Sequence, residues 1–339
     1  ETPNVLGLKP PEIIHEFYHA RMERLVREHL LASRFDVIQC EFLQTGHFAS
    51  VEPSIPAVLT NHELLSLSYA NRFHALPWTS PGKLRAMISW MRMFNYEEKL
   101  LRRFSAVVVL TQTEREFLAR YAPNVTVYDH ATGVDCDFFY PTNEVSEKDS
   151  VIFVGNFRHG PNVGAMSWFL DRVWPTVRAS YHDARLYIVG GNPPPSLQQA
   201  HGRDGVVVTG WVEDVRPYLQ RSVVFVAPVF EGVGLRGKVL EAWAMRKPVI
   251  GTSLSFEGLS PREGRTCFIA DEPKQFAARV CELLENEELA TKMGTMAREV
   301  VVNSFSWDAF GEMYDKIYQD ILQPSDRSNL DRDSMLKAV

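Results

Sequence analysis

An α/β fold of two Rossmann-like domains facing a cleft is what this 339-residue sequence predicts. Three observations carry that reading. Six short apolar runs alternate with longer helical patterns through the second half, and four more do the same in the first half. Two of the runs in the second half end in glycine-rich turns. Near-continuous apolar runs mark strands buried on both faces, as in a parallel sheet with helical crossovers.

The chain opens on Glu1 and passes into a helical pattern from Pro11 to Leu31. The strand-like runs that follow are Asp36–Cys40, Pro56–Thr60, Ala106–Leu110 and Val125–Tyr128. Four strands make a thin Rossmann-like sheet, and no opening strand with a Gly-rich turn precedes them. The expectation is a Rossmann-like domain over residues 1–143, incomplete at its N-terminus, with further βαβ units upstream of Glu1. Asp135–Asp149 is polar and contains Pro141, the composition of an interdomain linker.

The second half repeats the pattern more clearly. Its runs are Val151–Val154, Arg185–Val189, Val206–Val208, Val223–Val226, Pro248–Ile250 and Thr266–Ile269. Helices are predicted over Val163–Ala179, Val215–Arg221, Leu235–Arg246 and Pro273–Asn286. Six strands with crossovers complete one doubly wound domain over residues 150–305. Ser306–Leu322 has helical periodicity and opens on a Ser cap beside Trp307, so a C-terminal helix is expected to cross back. The charged stretch 323–339 reads as a flexible tail.

Composition narrows the function. A chain of this length divides naturally into two domains, each able to bury a core. The net charge of −6 supplies no basic footprint for a nucleic-acid binder. Cys40, Cys136, Cys267 and Cys281 lie far apart with no C-x-x-C pair, so no metal or dithiol site is read. No apolar run approaches the roughly 18 residues of a membrane span. A cytoplasmic protein is expected, able to sit peripherally at the inner face of the plasma membrane. The segment suited to that contact is Gly82–Phe104, rich in Met, Trp and Phe, with six basic residues against two acidic. The same composition suits a helix packed on the sheet with its Arg and Lys stems snorkelling, and the sequence leaves both readings open.

The chemistry concentrates in Ala227–Ile250, which reads as strand end, glycine-rich loop, helix and strand. Gly232, Gly234 and Gly237 let the backbone approach a ligand closely, and the following helix aims free N–H groups at the loop. Arg236 and Lys238 add positive charge at the same point. Glu231 and Glu241 bracket the loop, and a carboxylate accepts hydrogen bonds from sugar hydroxyls. A diphosphate grip beside two hydroxyl acceptors is what a nucleotide-sugar requires. Gly-x-Gly before a helix is a weak signal alone. A second glycine-rich strand end, Phe153-Val-Gly-Asn-Phe-Arg-His-Gly-Pro-Asn162, would lie at the same carboxyl edge of the sheet.

From about Arg34 to Leu322 the chain resembles glycosyltransferase family 4, the retaining enzymes of GT-B fold. The run Phe230-Glu-Gly-Val-Gly-Leu235 resembles that family's Glu-Gly-Phe-Gly-Leu signature. Gly232, Gly234, Arg236, Lys238, Leu240, Glu241 and Ala242 fit a branch typical of bacterial polysaccharide and exopolysaccharide biosynthesis. Gly155–Trp168, Gly210–Tyr218, Lys247–Ile250, Glu257-Gly258 and Phe305–Trp307 are further points of likeness. So are Gly133-Val-Asp135 with Phe139 and Pro141, and Asn61-His62-Glu63 after a strand. Asn156 follows Gly155, and Pro161-Asn162 stands where many relatives carry Lys.

The resemblance implies transfer of a sugar from a UDP- or GDP-sugar to a hydroxyl acceptor, a carbohydrate or a lipid-linked one, with retention at the anomeric carbon. The nucleotide-sugar is a substrate, no separate cofactor is implied, and protein charge takes the place of a metal ion. His62 and Glu231 would act at the donor sugar. The diphosphate would fall to Gly232, Gly234, Arg236 and Lys238, with Gly155 and Arg158 assisting. Glu241, Trp211 and Val212 would meet the nucleoside. Two other readings stay open: a nucleotide-sugar-binding module without turnover, and a nucleotide-sugar epimerase on the same fold.

Overall fold

The computed structural model describes residues 11–130, 132–142, 146–232 and 234–323. It divides into two compact units. One comprises Glu1–His130 with Gly311–Val339, the other Ala131–Phe310. The expected tail beyond Gln323 lies outside the described residues.

The first unit holds a four-stranded parallel sheet of β1 (Ile38–Glu41), β2 (Ala57–Asn61), β3 (Ala106–Val109) and β4 (Val127–Asp129), in that spatial order. Every residue of β2 and β3 is buried, because helices and loops cover both faces. Helix Lys83–Leu101 packs on helix Leu65–Ala75 and sinks Met93, Leu100 and Leu101 into the core. The single helical pattern read over Pro11–Leu31 is interrupted. Glu12–His15 and Ala20–Ala32 are separate helices, and His19 between them is extended at φ −130°, ψ 115°.

The second unit holds a six-stranded parallel sheet: β5 (Ser150–Val154), β6 (Arg185–Val189), β7 (Val206–Gly210), β8 (Val224–Ala227), β9 (Val249–Gly251) and β10 (Cys267–Ile269). Their spatial order is β10-β9-β8-β5-β6-β7. Read from β7, this is the doubly wound order in which the chain starts at the centre, runs to one edge, then returns to build the other. Alternate strand residues enter two cores. Val151, Phe153, Leu186, Ile188, Val224 and Val226 face one side, and Ile152, Val154, Tyr187, Val189, Phe225 and Ala227 the other. Burial on both faces is why these strands read as unbroken apolar runs.

The helix expected over Val163–Ala179 is two helices, Gly160–Arg172 and Trp174–Ser180. Pro175 has no N–H to continue the first and instead occupies the first turn of the second. Helix Trp307–Leu322 carries the chain from the second unit back into the first.

Candidate functional site

In an open parallel sheet the crevice opens where the strand order reverses, beyond the carboxyl ends of the strands. Here that point lies between β5 and β8. Both glycine-rich segments start there, and each leads into a helix, Gly160–Arg172 after β5 and Gly237–Ala244 after β8. A cavity of about 170 Å³ lies between them, lined by His159, Asn162, Glu231, Gly232, Arg236 and Lys238 among others. Two helix N-termini and two cations thus meet at one place, an arrangement suited to an anion.

Backbone proximity makes the glycines necessary. Gly190, at the end of β6, has φ +140°, and a Cβ there would sit 2.0 Å from the Gly155 carbonyl oxygen. A Cβ on Gly155 would come within 2.9 Å of Asn162 Nδ2 and 3.1 Å of Lys238 Nζ.

Lys238 turns inward. Its Nζ donates to Asn162 Oδ1 at 2.5 Å and lies 4.4 Å from the centre of the Phe153 ring. Asn162 Nδ2 in turn donates to the Asn156 carbonyl at 2.7 Å, so one amide joins both loops. Burial, with the neighbouring Arg236 charge, pulls the Lys238 ammonium down to about 8 against the opposing pull of Glu241. Arg236 is 8% exposed. Its guanidinium donates to the Gly232 carbonyl at 3.1 Å and to the Gly234 carbonyl. Burial lowers its proton affinity, which Glu257 partly restores. Two cations are therefore held in a desolvated place with neutral oxygens as their hydrogen-bond partners, which favours an anion arriving between them. Glu241, one turn into the helix, is half-buried, and burial raises its carboxyl against the pull of Lys238.

The remaining residues read from the sequence lie elsewhere. Arg158 is exposed beside Asn156 and is not among the cavity-lining residues. Trp211 follows β7 at the sheet edge, 76% exposed, against Gly191. Val212 packs on the core of its own unit. Asn162 and Phe153 were not read as functional. The Pro161-Asn162 pair was visible, but only the fold shows that the amide meets Lys238.

His62 belongs to the first unit and follows β2. Its Nε2 lies 2.7 Å from Glu41 Oε2 at the end of β1, and its ring stacks on Phe42 at 4.2 Å. The loop that carries it is clamped from below. Glu97 accepts from the Leu65 and Ser66 N–H groups at 3.1 and 3.0 Å and from Asn61 Nδ2 at 3.4 Å. Glu114 accepts from the N–H groups of Leu64, Leu110 and Thr111. Among the described residues no group of three or more His, Cys, Asp or Glu is placed to hold a metal ion. No described helix is long and apolar enough to cross a membrane.

The family model for glycosyl transferases group 1 matches residues 148–286, the segment that builds this cavity. That segment is thus similar to the group 1 glycosyltransferases. An uncharacterized 44.6 kDa protein in the cps region of Klebsiella pneumoniae is 25% identical over 185 residues, 51% of this chain and 45% of that protein. Alpha-maltose-1-phosphate synthase of Mycolicibacterium smegmatis is 25% identical over 319 residues, 81% of this chain and 76% of the relative. The chain therefore matches less than half the length of the first relative and about three quarters of the second. Among solved structures, sucrose-phosphate synthase from Thermosynechococcus elongatus superposes with a TM-score of 0.69 at 18% identity, covering 89% of this chain and 77% of that one. The chain has the GT-B fold, with parallel-sheet Rossmann-like units.

Proposed function

We propose that this chain transfers a sugar from a nucleoside-diphosphate sugar to a hydroxyl acceptor, with retention of configuration and without a metal ion, in polysaccharide or glycoconjugate synthesis. The observation that carries the reading is the pairing of Lys238 and Arg236 with two helix N-termini at the β5/β8 switch point. The diphosphate would lie against the N–H groups of Gly232 and Gly234 and beside Gly155, whose own N–H is spent on the Val189 carbonyl at 2.9 Å, between Arg236 and Lys238, with Arg158 at the rim. Charge developing on the leaving diphosphate would then meet donors already in position. Glu241 would accept from the ribose hydroxyls, and the carboxyl that burial leaves half-desolvated supports that role. Glu231 would meet the donor sugar. Trp211 and Val212 would flank the nucleoside, and His62 would bond a sugar hydroxyl.

Titration calorimetry with UDP- and GDP-sugars, followed by product analysis with and without acceptor, tests this. Binding with transfer to an acceptor is the expected result. Binding without turnover favours a donor-binding module, and an altered donor sugar in the absence of acceptor favours an epimerase. No binding by any nucleoside diphosphate removes all three.

The acceptor proposed is a carbohydrate, free or lipid-linked, met by a cytoplasmic protein that touches the membrane peripherally. On helix Lys83–Leu101 the apolar residues Leu84, Ile88 and Met91 are exposed at helical spacing beside Arg85, and Trp78 is exposed just before the helix. Such a stripe supports docking on an anionic bilayer. Sedimentation with phosphatidylglycerol vesicles should retain the wild type and release a Leu84→Ser/Ile88→Ser variant. Equal loss of both into the supernatant would remove the membrane from the proposal.

A further inference from the structure

Glu41 and His62 stand at the carboxyl ends of neighbouring strands, where Glu41 pairs in register with Thr60. The two oxygens of the Glu41 carboxylate are used differently. Oε1 accepts from Gln39 Nε2 at 2.9 Å and from Thr60 Oγ1 at 3.1 Å. Oε2 is left to His62 Nε2 at 2.7 Å. The scaffold around Oε1 is itself braced, because Tyr318 donates to Gln39 at 3.2 Å and Tyr314 bonds Thr60. Burial pushes the Glu41 carboxyl up, but the hydrogen bonds from His62, Gln39 and Thr60 together outweigh it and hold it below its ordinary value. An ionised carboxylate only accepts, so the proton between the two groups sits on Nε2. In the neutral imidazole this leaves the Nδ1 lone pair unspent, since none of the described residues bonds that atom.

Stability does not account for the pair. The Glu41 side chain is 51% exposed, and ion pairs that wet contribute about 1 kcal/mol or less. The backbone beside it is also held at a cost. Phe42 has φ 66° and ψ 144°, a region almost confined to glycine, and its ring stacks on His62 with 25° between the planes.

We infer that Glu41 is a positioning residue for His62: it fixes the imidazole with Nε2–H turned to the protein, and so presents Nδ1 as an acceptor for a hydroxyl of the substrate. The ring can then receive a hydrogen bond from a sugar hydroxyl, whereas a phosphate or carboxylate oxygen would meet its lone pair head-on. The inference rests on the proposal that His62 meets the sugar, and adds which atom it uses and what kind of group it selects.

Four variants test it. Long-range ¹H–¹⁵N spectra should show the His62 ring as the Nε2–H tautomer in the wild type and as a mixture of tautomers in Glu41→Ala. Turnover at saturating donor should fall roughly tenfold in Glu41→Ala, as for the loss of one net hydrogen bond. Glu41→Gln, which keeps an acceptor oxygen, should recover part of it, and the melting temperature should stay unchanged throughout. Glu41→Ala added to His62→Ala should cost nothing more. If Glu41→Ala leaves tautomer and turnover as they were while His62→Ala is impaired, the positioning role is wrong. If His62→Ala turns over normally, the role proposed for His62 is wrong and the inference goes with it.

Discussion

Lys238 Nζ donates to Asn162 Oδ1 at 2.5 Å, and that bond joins two loops whose residues lie 76 positions apart in the chain. Each loop hangs from its own strand, β5 or β8, and the order reversal leaves them side by side. The cation therefore reaches the cavity from the helix after β8, and the loop after β5 supplies its amide anchor. Gly155 keeps the space clear, because any side chain there would strike both partners.

Replacing Lys238 with Met should weaken nucleoside diphosphate binding on the order of 10- to 100-fold, the range expected for one charge-assisted hydrogen bond. Asn162→Ala should lose less, since the ammonium remains but is no longer aimed. Gly155→Ala should resemble Lys238→Met in binding while the fold survives. Calorimetry with UDP and GDP on the three proteins gives the ranking. Tight binding by Lys238→Met would show that the ammonium is a bystander.

The same ammonium predicts a pH dependence. Burial lowers Lys238 from 10.5 to about 8, so affinity for a diphosphate should fall as pH rises through about 8. Stability should move the other way. Between about 8 and 10.5 the unfolded chain keeps a proton that the folded protein has lost, so unfolding free energy rises with pH in that window. Lys247, buried and also lowered to about 8, contributes in the same sense. Urea titrations at pH 7.5 and 9.5 should show a smaller gain in Lys238→Met than in the wild type. An equal gain would mean that Lys238 does not titrate there.

The unbroken apolar runs of β5, β6 and β8 made the sheet readable, since burial on both faces writes itself into Val, Ile and Phe. The glycine loop and its cations were readable for a similar reason: close approach and charge each need particular residue types. Asn162 was less readable, because an amide gains its role only from the Lys238 that folding brings to it. The Glu41–His62 pair was silent. Glu41 closes a strand with no motif around it, and its partner stands 21 residues away, just past the end of the next strand. The break at Pro175 was visible in the sequence, yet the apolar periodicity around it concealed where one helix stops and another begins.

Glu97 offers a test of the loop beneath His62. Its carboxylate holds two backbone N–H groups and the Asn61 amide, so Glu97→Ala should destabilise the first unit by about 3 kcal/mol as buried donors lose their acceptor. Burial pushes the carboxyl up to about 7 against those hydrogen bonds. Between 4.5 and about 7 the folded protein holds a proton that the unfolded chain has released, so this residue makes stability fall as pH rises through that window. Glu97→Gln keeps an acceptor and cannot titrate. Its denaturation midpoint should change less than the wild type's between pH 5 and 7, and identical slopes would exclude Glu97 as the source.

Phe42 separates stability from activity. Its backbone sits at φ 66°, ψ 144°, where a side chain costs about 1–3 kcal/mol and glycine costs almost nothing. The ring is 51% exposed, so its removal forfeits little beyond the stack on His62, about 0.5–1.5 kcal/mol. Phe42→Gly should therefore fold with equal or higher stability, by on the order of 1 kcal/mol. It should also turn over more slowly, because the imidazole loses the face that fixes its plane. Phe42→Ala keeps the strain and loses the stack, and should be worse on both counts. Thermal melts and turnover at saturating donor, measured on the two variants together, decide the matter. If Phe42→Gly is less stable than Phe42→Ala, the backbone at this position is not strained, and the stack on His62 must be explained without it.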